Sequence, residues 1–131
     1  MTTKNFFIFQ AILNTSFGLG LLLMPQMLVD MYGTQKSDVS GTFDLVARSY
    51  GTLLTSLGIM AYLMRDTKPS LARYFYLLGT SIAGLLVTGV HLKAIFQGVE
   101  NNLAWLIVLS TSIIMVWSGL LVSKEDKKAL E

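Results

Sequence analysis

Charged residues along the chain fall into clusters separated by four long gaps, each close to the length of a membrane-crossing helix. Lys4 is followed by no charge until Asp30; Asp44 and Arg65 bracket a second gap interrupted only by Arg48; Arg73 and Lys93 bracket a third, and Glu100 and Lys124 a fourth. About 20 apolar residues in a helix cross a hydrocarbon core of about 30 Å. The pattern predicts an all-α polytopic membrane protein, with four transmembrane helices in an antiparallel bundle. The expected spans are 6–29, 43–64, 70–96 and 102–123, within a single domain of residues 1–131.

Punctuation between the gaps fits helices joined by short turns. Pro25 is placed to bend the last turn of the first span, and Tyr32-Gly33 closes it. The polar stretch from Gly33 to Thr42 reads as a loop, with Ser40 or Thr42 as the cap of span two. Thr67-Lys68-Pro69-Ser70 reads as a tight turn with Pro69 at the start of span three, which makes spans two and three an antiparallel hairpin. Gly98 ends span three, and Asn101 or Asn102 caps span four. The tail from Ser123 to Glu131 is charged and short, and is expected to fray or to extend the last helix into water.

Composition agrees with the membrane reading, since 53% hydrophobic and 14% charged residues leave little polar surface for a soluble chain. Four apolar helices in succession would leave no helix to face water. The first span is longer than the apolar region of a secretory signal and no small-x-small cleavage site follows it, so the N-terminus is expected to be retained. With no cysteine, disulfides, thiolate catalysis and iron–sulfur clusters are excluded. The single histidine cannot build a multi-histidine metal or haem site within one chain. No cofactor or metal is expected.

Net charge is +2, and the Lys and Arg residues cap membrane edges rather than form a nucleic-acid footprint. The N-terminus holds Lys4, the second connection Arg65, Lys68 and Arg73, and the tail Lys124, Lys127 and Lys128. The first and third connections hold only Lys36 and Lys93. The positive-inside rule then places both termini in the cytoplasm of a multi-pass protein of the inner (plasma) membrane, with Asp30, Asp38, Glu100, Tyr32 and Trp105 at the outer surface. Trp105 and Trp117 read as interfacial anchors.

Candidate chemistry lies in the polar residues that the spans retain. In span two, Asp44, Arg48, Gly51, Thr55, Gly58 and Tyr62 recur at intervals of three or four, on one helix face. Ala47, Gly51 and Thr55 form a small-residue ladder suited to close helix approach in lipid, which alone accounts for the Gly and Thr. Arg48 is different. From Ser49 to Met64 there is only about 24 Å of helix at about 1.5 Å per residue, so Arg48 sits at the hydrocarbon boundary. A cation there must snorkel or pair, and Asp44, one turn earlier, is its natural partner.

Span three carries a matching stripe of Tyr76, Thr80, Gly84, Thr88 and His91. His91 sits at a depth similar to Arg48 on an antiparallel span, and Gly51 and Gly84 are expected to leave room where the stripes meet. A lone histidine of this kind is commonly a hydrogen-bonded structural residue. The functional alternative is a ligand-binding pocket ringed by Asp44, Arg48 and His91, with Thr88 and Gly51 in its wall and an opening to the outer leaflet. Gln10 and Asn14 in span one read as amides that bond across helices, and Ser110, Thr111 and Ser112 lie mid-membrane in span four.

An apolar first helix ending in Met24-Pro25, a Tyr32-Gly33 turn, and then Asp44-x-x-x-Arg48-x-x-Gly51 resemble the small four-helix bacterial membrane proteins of the DoxX-like type. The likeness covers the length and topology of the chain, and its specific part is the Arg48-x-x-Gly51 region. It implies a four-helix bundle, association with a larger membrane assembly, and no catalytic residues to carry over.

Three functions remain in view. The favoured one is an integral membrane accessory or ligand-binding subunit, holding a lipid, a quinone-like or other small amphipathic molecule, or a partner helix on the polar faces of spans two and three. The expected partners are the bilayer, such a ligand, and a homo-oligomer or larger membrane complex. The alternative is a small dimeric transporter, against which stands the lack of a mid-membrane carboxylate for proton coupling. The third is an intramembrane enzyme using His91 as acid or base, for which no obvious nucleophile, cofactor or metal is supplied.

Overall fold

The computed structural model of the chain describes residues 2–34 and 41–129, with side chains through residue 125. Lys36, Asp38, Ser40 and the side chains of Lys127 and Lys128 therefore lie outside the described residues. Within the described residues the structure is all-helical, with five α-helices and one short 3-10 turn: α1 (Thr3–Leu23), α2 (Pro25–Tyr32), α3 (Gly41–Met64), α4 (Leu71–Phe96), the 3-10 turn Asn102–Ala104, and α5 (Trp105–Ala129). Three stretches, Thr3–Leu23, Leu71–Phe96 and Asn102–Glu125, are long and apolar enough to cross a membrane. The helices are organised as two compact units, Met1–Arg65 and Asp66–Glu131.

In unit 1 the expected first span is two helices. Proline has no N–H to donate and its ring collides with the carbonyl four residues back, so α1 stops at Leu23 and Met24 turns out of helical geometry with φ −137 and ψ 56. Pro25 then opens α2, where its fixed φ suits the first helical position. Thr2 caps α1 by accepting from the Asn5 N–H at 3.3 Å. Gly33 follows the last residue of α2, as its sequence suggests.

α1 packs antiparallel on α3. Where Gly18 meets Gly51 the two backbones are in contact, so that a Cβ added at Gly51 would lie 2.6 Å from the Gly18 carbonyl oxygen and 2.7 Å from the Leu22 nitrogen. Two turns further along α3, a Cβ at Gly58 would lie 2.8 Å from the Thr15 nitrogen. Helices in lipid gain little from sequestering apolar surface from one another, so close van der Waals approach across small residues supplies much of the attraction. Phe6 and Phe7, fully buried and edge-to-face at 5.7 Å, close the end of the unit nearer the N-terminus.

In unit 2, α4 packs antiparallel on α5. The α4 cap is Ser70, whose hydroxyl accepts from the Arg73 N–H at 3.4 Å, so the helix begins two residues after Pro69 rather than on it. Gly98 ends the following turn at φ +71, a left-handed conformation that favours glycine. Asn101 accepts from the Leu103 N–H at 2.8 Å, starting the last helix through its 3-10 turn. α5 continues to Ala129, well past the expected end of the fourth span.

Candidate functional site

Four of the six residues on the span-two stripe turn toward α1. Thr55 donates to the Gly51 carbonyl at 2.8 Å, which satisfies its hydroxyl within the helix and presents a compact surface to Gly18. Gly51 itself abuts backbone, and the room expected beside it is filled by α1. Tyr62 leaves the seam: it is exposed, with the Arg65 guanidinium 3.6 Å above its ring.

Arg48 occupies the end of this seam where α1 breaks. Its Nε donates to Asp44 Oδ2 at 2.7 Å, and its Nη1 donates to the Leu22 carbonyl at 2.6 Å. The last carbonyls of a helix lack intrahelical donors, and Leu22 lies one residue before the end of α1, so the guanidinium caps α1 from a different helix. The Arg48 side chain is 44% exposed and that of Asp44 37%. The Asp44–Arg48 pairing expected from their spacing is present, while the Leu22 carbonyl is a partner that no spacing rule reveals; the nearby Pro25 is the signal that could have suggested it.

On α4 the stripe residues Gly84, Thr88 and His91 meet partners within unit 2. A Cβ at Gly84 would approach Met115 Cβ and the Thr111 carbonyl, both at 3.1 Å, so this glycine also lies against a helix. Thr88 Oγ1 lies 2.8 Å from Thr111 Oγ1. Thr111 donates to the Ile107 carbonyl at 2.8 Å, so Thr88 is the donor of the inter-helix bond. Ser81 donates to the Met115 carbonyl at 3.1 Å. His91 Nδ1 lies 2.9 Å from both carboxylate oxygens of Glu100. The chain reversal at Gly98 carries Glu100 back to α4, a pairing the sequence reading missed by treating Glu100 only as a surface charge.

The remaining polar pair is the most deeply buried. Arg73 Nη2 donates to Glu125 Oε1 at 2.9 Å, and both side chains are over nine-tenths buried. Arg73 Nη1 also donates to the Thr67 carbonyl. Arg73 counts as an edge charge in a topology reading, and Glu125 belongs to a tail expected to fray or to extend the last helix into water. An Arg and a Glu at the two ends of one hairpin are the signal that could have linked them. Asp44, Arg48 and Gly51 belong to unit 1, Thr88 and His91 to unit 2.

Among the described residues no group of three or more His, Cys, Asp or Glu is arranged to hold a metal ion. Comparison with protein-family models, curated proteins and solved structures returns no match to the chain.

Proposed function

We propose that this protein is an integral membrane accessory or ligand-binding subunit, of the kind the DoxX-like resemblance implies, in which Arg48 anchors the polar head of a lipid or other small amphipathic molecule. In this reading α3 is the fourth crossing, both termini are cytoplasmic, and Arg48 lies at the outer hydrocarbon boundary.

The observation that carries it is the half-exposed guanidinium of Arg48, held on one side by Asp44 and the Leu22 carbonyl. Among the described residues its Nη2 has no hydrogen-bond partner. A fixed guanidinium with spare N–H groups suits a phosphate, carboxylate or quinone carbonyl. Asp44 offsets the charge, which makes a cation tolerable at the boundary and favours ligands bound by directed hydrogen bonds.

Native mass spectrometry of the full chain released from gentle detergent tests the binding. Wild type is expected to retain a lipid or quinone-like molecule that Arg48→Ala loses; equal retention by both removes the proposal. Crossing of α3 is tested separately. Single cysteines at Thr34 and Asn102 are expected to label from outside, and at Lys68 and Ser123 from the cytoplasm, in a chain with no native cysteine. Labelling of Thr34 and Lys68 positions from the same side would show that α3 does not cross.

A further inference from the structure

The imidazole of His91 is held at one nitrogen and open at the other. With both oxygens of the Glu100 carboxylate at 2.9 Å, Nδ1 must carry a proton and donate it, since a carboxylate offers only acceptors. A neutral ring in that tautomer places its lone pair on Nε2. Among the described residues Nε2 has no hydrogen-bond partner, and it is not among the buried polar atoms. The side chain as a whole is 22% exposed, so an edge of the ring reaches the surface while its other edge is fixed. Carboxylate contact at one imidazole nitrogen fixes the tautomer and the orientation of the ring.

Surroundings narrow what that nitrogen can take. Glu100 sets a negative charge beside the ring and disfavours an anion. Too few ligand side chains gather here for a metal ion. Thr88, one turn back on the same face, is engaged with Thr111 and does not compete. The connection that carries Glu100 also carries exposed apolar Phe96, Val99, Leu103 and Trp105, interleaved with exposed Gln97 and Asn102.

We propose that His91 and Glu100 form a binding dyad in which Nε2 accepts a hydrogen bond from the hydroxyl of an amphipathic molecule, its apolar body lying along the exposed residues of the same connection. Glu100 is the positioning residue, and His91 the residue that touches ligand. The shared chemistry is a hydroxyl on an apolar tail, available from a hydroquinone headgroup or from the free hydroxyl of a glycerolipid. The proposal rests on the membrane-embedded reading but not on Arg48.

His91 is the only histidine, so histidine-selective ¹⁵N labelling of the full chain in phosphatidylcholine nanodiscs gives one pair of ring signals. The resting protein is expected to show a protonated Nδ1 and an unprotonated Nε2. Addition of a short-chain alkylhydroquinone or of a monoacylglycerol should shift the Nε2 signal, and the stronger of the two identifies the source; the dimethyl ether of the hydroquinone should not shift it. Glu100→Ala should mix the tautomers and weaken the response at least several-fold, while Arg48→Ala should leave it unchanged. A resting ring protonated at Nε2, a response equal for the ether, or none to either hydroxyl compound would overturn the dyad. Lipid retention that still depends on Arg48 in that event would leave the proposed function standing.

Discussion

Units 1 and 2 are both antiparallel pairs of long helices, yet they are joined by different physics. The α1–α3 seam is a contact of backbones across Gly18, Gly51 and Gly58, with its charged pair at the rim and open to the surroundings. The α4–α5 seam is a series of side-chain bonds: Arg73 to Glu125, Ser81 to the Met115 carbonyl, Thr88 to Thr111, and His91 to Glu100 just beyond. Shape specifies the first seam and polar pairing the second. In unit 1 the Asp44–Arg48 pair is thereby left at the rim rather than within the seam.

The sharpest test of this contrast is Arg73→Ala, which leaves the buried Glu125 carboxylate without its partner. Loss of about 3–5 kcal/mol is expected, the usual consequence of breaking a buried ion pair from one side. Replacing both residues with Met and Leu should restore most of it, as measured by reversible unfolding in mixed detergent. A loss near zero for the single variant would mean that unit 2 is not held by polar pairing.

Gly51→Ala probes unit 1 in the same assay. The new Cβ would meet α1 backbone on two sides, and overpacking of this kind costs about 1–3 kcal/mol. Gly79→Ala is its control: nothing lies within 4 Å of that position, and removing a helix glycine stabilises by up to about 1 kcal/mol. Equal effects at the two positions would dissolve the claim that shape specifies the α1–α3 seam.

Thr88→Val removes the donor of one inter-helix bond and is expected to lower stability by about 0.5–1.5 kcal/mol. A Thr88→Val, Thr111→Val pair should cost less than the sum, because neither hydroxyl is then left without its partner. The smallest change in unfolding is expected for Arg48→Ala, whose partner Asp44 is open enough to be solvated, with Asp44→Ala recovering part of it. Its main effect belongs in ligand retention, and a large stability loss instead would recast Arg48 as a structural residue.

Much of this architecture could be read from spacing. Charge-free gaps located the long helices, Gly98 was marked as terminator and Asn101 or Asn102 as cap, and Asp44 and Arg48 were paired by helical periodicity. The glycine stripes were also legible, but not their partners. Periodicity says which residues share a face and leaves open which helix covers it, so Gly51 and Gly84 were read as making room for each other when each lies against a helix of its own unit. Pro25 was read as a bend because its missing N–H is a local fact, whereas the full break shows only in the backbone at Met24. Glu100 and Glu125 were missed for a shared reason: each finds its partner through a chain reversal, while the sequence places Glu100 at a surface and Glu125 in a charged tail.

Division into two sequence-contiguous units has a consequence for biosynthesis. Every inter-helix bond named above joins residues of one unit, so the stretch through Arg65 holds both partners of each such bond in its own hairpin. On a ribosome elongating at about 5–20 residues per second, synthesis of the second half takes several seconds or more. The first hairpin can therefore close, with Arg48 already matched to Asp44 and Leu22, before Arg73 has met Glu125. Neither hairpin must wait with an unmatched charge for the other to arrive, which limits the time such charges spend exposed to the insertion machinery.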